Sequence, residues 1–140
     1  MVAPTNVRFP DDVDRALTEF VSRTGAKKSS VVVGAVREWI KMQQHPGIHF
    51  VSTTTGERRA ATPSGPQVWQ FAEAWLQHDV KTRTTEEVAF ATGVEVAEVE
   101  AALGYWADNR AEIDEEIARE HAAQDEALAA WERRRALDAV

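Results

Sequence analysis

The stretch Asn6-Val7-Arg8-Phe9-Pro10 alternates polar and apolar side chains and stops at a proline, a pattern typical of one short strand. Asn6 and Arg8 would share one face of it, and Val7 and Phe9 the other. A lone strand leaves its backbone N–H and C=O groups unpaired, and no other strand-like run lies nearby. The pattern therefore predicts pairing with the same strand of a second copy, in a homodimer.

Two amphipathic helices are predicted behind this stretch. The first covers about residues 12–24, with an aspartate cap at position 11 or 12, and ends at Gly25, where a left-handed residue belongs. The second is capped by Ser29 or Ser30 and ends before Pro46. The apolar stripes contain Val13, Leu17, Phe20 and Val21 in the first helix, and Val32, Ala35, Val36, Trp39 and Ile40 in the second.

This order of strand, helix, glycine turn and serine-capped helix resembles the ribbon-helix-helix repressors over residues 4–44. In that family the polar strand positions enter the DNA major groove, which implies that Asn6 and Arg8 contact bases of a double-stranded operator. Asn suits adenine and Arg suits guanine. The second helix of the family clamps a backbone phosphate, a role that the resemblance gives to Lys27, Lys28, Ser29 and Ser30. It implies a DNA-binding and dimerisation domain at residues 1–44.

The charge of the chain changes sign behind this segment. The whole chain of 140 residues carries a net charge of −7. Residues 1–44 hold seven Lys/Arg and five Asp/Glu, for +2, whereas residues 45–109 carry −5 and residues 110–140 carry −4. Phosphate attracts the first segment and repels the other two, so the sequence confines a DNA-binding role to the front of the chain.

Composition also bounds the class of protein. The chain has no cysteine, which excludes a disulfide framework, a thiolate metal site and a cysteine nucleophile. No run approaches the roughly 18 apolar residues of a membrane span, and the start lacks the apolar region of a signal peptide. We expect a cytoplasmic protein with no membrane partner.

Residues 45–117 are predicted to form a small helical domain with a possible short hairpin. Residues 48–51 and 58–62 read as its two strands, and a cluster of turn residues separates them from the next helix. That helix carries the clearest apolar stripe of the chain. Its members are Val68, Phe71, Ala72, Trp75 and Leu76. Together with the flanking helices, this predicts a mainly α protein.

A helix-turn-helix pattern follows within this domain. Thr84 is expected to cap one helix that ends at Gly93, and Ala89, Gly93 and Val99 have helix-turn-helix spacing. The second helix, however, is acidic, since it carries Glu95, Glu98, Glu100 and Asp108. Such a surface repels the DNA backbone, so we interpret this unit as a scaffold for protein contact.

The middle of the chain also resembles a small helical domain of VapB-like antitoxins, through His45-Pro46-Gly47-Ile48, Gly65-Pro66-Gln67-Val68-Trp69 and the run 84–113. The resemblance implies an antitoxin of a type II toxin-antitoxin pair, a DNA-binding autorepressor whose partner is a PIN-like ribonuclease toxin. Residues 118–140 form a helical tail with little to bury within the chain. Its apolar residues Leu128, Trp131 and Leu137 are the predicted toxin-binding residues.

No catalytic motif, nucleotide-binding loop or set of converging metal ligands is found, so we expect neither an enzyme nor a bound cofactor or metal. One other class of function stays open. The protein could be a small-molecule-responsive repressor, with an effector pocket near Trp69, Trp75 and Trp106. The acidic tail favours a basic protein partner instead.

Overall fold

The computed structural model describes residues 2–140, which form six α-helices and one two-stranded antiparallel sheet. The predicted mainly α class is therefore confirmed. The chain divides into two units, one ending at Lys41 and the other running from Met42 to Val140. Each is described by itself.

The ribbon-helix-helix prediction for residues 1–44 is wrong as a description of the fold, because its strand is absent. Residues 2–10 are extended or irregular and belong to no sheet. A strand exists only through a ladder with a neighbour, and no other described segment pairs with this one. The polar-apolar alternation reflects something else: Val7 and Phe9 line a cleft against the second helix, while Asn6 and Arg8 are exposed.

The first unit contains helix α1, Asp11–Thr24, and most of helix α2, Lys28–Gln44. Gly25 ends α1 at φ 74°, and its N–H bonds the Val21 carbonyl, which confirms the predicted left-handed cap. The two side-chain caps were predicted wrongly. Pro10 occupies the N-cap position of α1, and α2 begins at Lys28, so that Ser29 and Ser30 lie inside its first turn.

The apolar side chains of the helices in the first unit are exposed or only half-buried. Neither α1 nor α2 has a buried residue, although both carry apolar stripes. The Phe20 residue is 40% exposed and Trp39 is 60% exposed, and Val13, Val33, Val36 and Ile40 are also exposed. The apolar stripe of α2, which an amphipathic helix would be expected to bury, is therefore not buried within one chain.

The second unit starts with the predicted hairpin, which the structure confirms. Strand β1, His49–Ser52, pairs antiparallel with β2, Arg58–Ala61, in the register His49 to Ala61. Gly56 closes the connecting turn at φ 85°, a conformation that disfavours other residues.

Four helices complete this unit: α3, Val68–Gln77; α4, Thr85–Thr92; α5, Val96–Asp108; and α6, Arg110–Arg135. Thr84 caps α4, because its Oγ1 accepts the Glu87 N–H at 3.1 Å. Gly93 ends α4 at φ 73°, as the helix-turn-helix spacing predicted. A short 3-10 turn, Ala136–Ala139, follows α6.

The core of the second unit lies where α3, α4, α5 and the start of α6 meet the sheet. Its buried apolar residues come from every one of these elements, and Ile117 packs against them. The largest fully buried ones are Tyr105, Phe71, Ile113, Val68, Val88 and Val99. Ile113 is part of this core, so the start of α6 belongs to the packed body of the second unit.

Candidate functional site

The predicted base-contacting residues lie on an exposed N-terminal segment. Asn6 and Arg8 are both exposed. The residues between and beside them, Thr5, Val7 and Phe9, line a cleft of about 740 Å³ with the beginning of α2. Thr5, Val7 and Phe9 thus face α2, while the residues that alternate with them, Asn6 and Arg8, stay accessible to solvent.

The predicted phosphate-contacting residues come together at the N-terminus of α2. Lys27, Lys28 and Ser29 line the same cleft as the N-terminal segment. The Lys28 ammonium pairs with Asp14 at 2.9 Å, whereas no described residue forms an ion pair with Lys27. The first N–H groups of a helix have no partner within it, so Ser29 and Ser30 add backbone donors to this cationic edge.

The acidic helix of the helix-turn-helix pattern has a structural use for one of its carboxylates. Glu98 on α5 accepts hydrogen bonds from Ser64, at 2.9 Å from the backbone N and 2.5 Å from Oγ. These bonds hold the turn that leads into α3. The contact of Glu98 with Ser64 was not predicted, because from the sequence Glu98 is only one of several surface charges on this helix.

The predicted toxin-binding residues lie on the far half of α6 and just beyond it. Residues 122–140 are exposed apart from a half-buried Ala129. Trp131 remains 45% exposed, although the Arg135 guanidinium lies 5.1 Å from its ring centroid, and Leu128 and Leu137 are more exposed still. An aromatic, two leucines and a cation are thus exposed on the end of α6 and just beyond it, with no core beneath them.

The near half of α6 is tied to the hairpin by an ion-pair network. The Arg59 guanidinium is buried, and it bonds Glu57 at 2.9 Å and Glu120 at 2.5 Å. Arg119 pairs with the same Glu57, and His121 contacts Glu73 of α3. Burial would lower the pKa of Arg59, but its bonds to Glu120 and Glu57 raise it above the ordinary value.

Glu116 is a buried carboxyl beside this network. It is 2% exposed, and its Oε2 has no hydrogen-bond partner. Burial, reinforced by the negative charge of Glu112, raises the pKa of Glu116 to about 7. Sequence reasoning missed it, yet the spacing was readable: Glu116 lies three residues beyond Ile113, on the buried face of the helix.

The tryptophans predicted to line an effector pocket are divided between two cavities. Trp75 and Trp106 line one of about 490 Å³, with Leu76, Leu103, Ala107, Arg83 and Arg110. Trp69 lines another, of about 280 Å³, between α3 and the end of α4. Two of the residues that line the first cavity are arginines, Arg83 and Arg110, which the sequence could not assign to it.

The histidines act in local contacts. His45 packs edge-on against Tyr105, with ring centroids 5.0 Å apart, and its Nε2 lies 3.3 Å from Asp108. The His78 Nδ1 lies 2.7 Å from the Ala74 carbonyl oxygen. Within residues 2–140, no group of three or more His, Asp or Glu side chains is placed to hold a metal ion.

Comparison with protein-family models, with curated proteins and with solved structures finds no match for this chain. In the part of the chain that the structure describes, no helix is both long and apolar enough to cross a membrane.

Proposed function

We propose that this protein is a homodimeric, DNA-binding antitoxin of a type II toxin-antitoxin pair, which represses its own operator and neutralises a PIN-like ribonuclease toxin. The observation that carries the proposal is that the cationic first unit has apolar helix stripes in which no side chain is fully buried. An apolar stripe without a buried residue is stabilised by association, and the net charge of this segment suits it to phosphate.

Dimerisation through the first unit would cover the most exposed aromatic residues of its helices, Phe20 and Trp39. A second copy of the same chain is the partner we propose, because identical amphipathic surfaces are self-complementary about a twofold axis. The dimer would present two copies of the cationic edge, as a symmetric operator requires.

In this proposal Asn6 and Arg8 contact bases, and Lys27, Lys28, Ser29 and Ser30 contact phosphates. The support is that both groups flank one cleft and that the polar members of the segment are exposed. Among these cations, only Lys28 forms an ion pair with a carboxylate in the part of the chain that the structure describes, and its partner is Asp14. Counterion release from phosphates would supply most of the sequence-independent affinity.

The DNA-binding part is tested with the full chain and a fragment of DNA from upstream of its own reading frame. Arg8→Ala should weaken specific binding by roughly fivefold to 150-fold per subunit, the effect of about 1–3 kcal/mol for one bidentate base contact. Arg133→Ala, an equal charge change on the tail, is the matched control. Gel shifts with equal affinity for the two variants would remove Arg8 from the interface.

The toxin-binding part rests on the tail. Leu128, Trp131 and Leu137 are exposed on a helix end that contacts no core, and such a surface is stabilised by a partner. The acidic residues around it, Asp125, Glu126 and Glu132, would face the basic RNA-binding cleft of a ribonuclease.

The sharpest truncation ends at Ala123. It removes the exposed tail but keeps the contacts of Glu120 and His121 with the body, so that the second unit should stay folded. Co-purification with the product of the adjacent reading frame should be lost, whereas DNA binding should persist. Trp131→Ala should weaken the complex more than Glu126→Ala, because exposed charges contribute little. Undiminished co-purification would place the toxin contact elsewhere.

A further inference from the structure

The cavity between α3, α5 and the start of α6 has the composition of a ligand site. Its walls are mostly apolar or aromatic, and two arginines also line it, Arg83 from the loop before α4 and Arg110 from the start of α6. A volume of about 490 Å³ falls in the range of small-molecule pockets, which combine apolar walls with a few placed polar groups. Nothing in the proposed DNA or toxin contacts uses these residues.

Arg83 is fixed in place without any carboxylate partner. Its Nε donates to the His78 carbonyl at 3.0 Å and its Nη2 to the Leu76 carbonyl at 3.1 Å, both at the end of α3. No described Asp or Glu forms an ion pair with it, and its Nη1 makes no hydrogen bond within residues 2–140. The guanidinium is therefore a preorganised cation with donors left to offer.

Arg110 is held against the aromatic wall. Its guanidinium lies 4.8 Å from the ring centroid of Trp106, and its Nη2 lies 3.4 Å from Asp114. The same carboxylate accepts the indole N–H of Trp106 at 2.8 Å. Asp114 thus fixes both the ring and the cation, but it neutralises only one of the two arginines of the cavity.

We propose that this cavity binds a small aromatic carboxylate, with its ring against Trp75 and Trp106 and its carboxylate on Arg83. The charge of the surroundings makes the choice of ligand specific. Residues 42–140 hold nine Lys/Arg and eighteen Asp/Glu, a net charge of −9. This net charge repels anions from most of the surface, so an anionic ligand is attracted only where an arginine without a carboxylate partner lies. Arginine matches a carboxylate bidentately, and tryptophan faces match a flat ring.

This site is independent of the proposed function, since none of its lining residues is assigned to DNA or toxin. A bound ligand would make an antitoxin responsive to a small molecule. Binding of the ligand is tested without DNA and without toxin.

The test is a titration of the full-length, ¹⁵N-labelled protein with 1-naphthylacetate, followed through the five tryptophan indole N–H signals, which Trp→Phe variants assign. A ligand of this size is expected to bind with a dissociation constant of about 1 mM or tighter. The signals of Trp75 and Trp106 should shift and saturate, while those of Trp39 and Trp131 stay unchanged. The uncharged analogue 1-naphthylacetamide should bind at least tenfold more weakly.

Variants assign the effect to the cavity. Arg83→Gln should weaken 1-naphthylacetate about tenfold, whereas Lys81→Gln, the same charge change two residues away and outside the cavity, should not. Because Arg83 also bonds the end of α3, Ala107→Trp is the second variant; it fills the cavity from an exposed position and should abolish binding. Equal binding of acid and amide, unaltered binding to Ala107→Trp, or no saturation at Trp75 and Trp106 would overturn the proposal.

Discussion

Replacement of Glu116 by glutamine should make the protein more stable at alkaline pH. The carboxyl is buried, its Oε2 is unpartnered, and burial together with the charge of Glu112 raises its pKa to about 7, from an ordinary value of 4.5. The folded protein therefore favours the protonated form. Glutamine has nearly the same shape and no charge to desolvate, so it removes the cost that the ionised form carries.

The magnitude and the pH window follow from the two pKa values. Their difference corresponds to about 3 kcal/mol. Because the folded-state pKa lies above the unfolded one, the contribution of Glu116 is undiminished below about pH 4.5. It falls as the pH rises from there to about 7, and is lost above that. We expect Glu116→Gln to raise the free energy of unfolding by up to about 3 kcal/mol at pH 8, and by less than about 1 kcal/mol at pH 5.

Urea unfolding at the two pH values measures this difference. A Trp39→Phe, Trp131→Phe background leaves Trp69, Trp75 and Trp106, so that fluorescence reports only the second unit. Comparison of the two proteins at each pH cancels the titration of groups that do not interact with Glu116. Glu115→Gln is the matched control, since that side chain is 72% exposed on the same helix. A stability gain at pH 8 no larger than that at pH 5 would refute the assigned pKa and its cause.

Two further predictions concern the two units separately. Trp39→Asp should convert the proposed dimer to a monomer in sedimentation, because it puts a charge on the face we propose to be covered. Trp131→Asp on the tail should leave the dimer intact, and equal sedimentation of both variants would count against that face. Thr84→Ala should lower the free energy of unfolding by about 1 kcal/mol through loss of the α4 cap. Thr85→Ala, one residue further on, should lower it much less. Equal losses in the two variants would show that the cap bond to Glu87 contributes little.

The second unit was largely predictable because its signals are local. Thr84, Gly93 and the stripe through Phe71 each specify a cap, a turn or a buried face within a few residues, and the structure has them where the pattern placed them. The hairpin followed from the same kind of signal.

The first unit was not predictable to the same degree, because its strand depended on a partner outside the chain. The alternation from Asn6 to Phe9 fits a strand and also fits an extended segment that lies along a helix, and only the neighbouring backbone distinguishes the two. Composition cannot show which carboxylates are buried, either. Arg59 and Glu120 form their ion pair across 61 residues of sequence, so this network was beyond sequence reasoning, as was the position of Arg83 beside Trp75 and Trp106.

The most direct test of the proposed function is growth of a host that expresses the product of the adjacent reading frame, with and without this protein. We predict that the neighbour alone arrests growth through RNA cleavage. Co-expression of the full chain should restore growth, whereas the chain ending at Ala123 should not. A neighbour that does not arrest growth, or an arrest that the full chain fails to relieve, would contradict the antitoxin proposal.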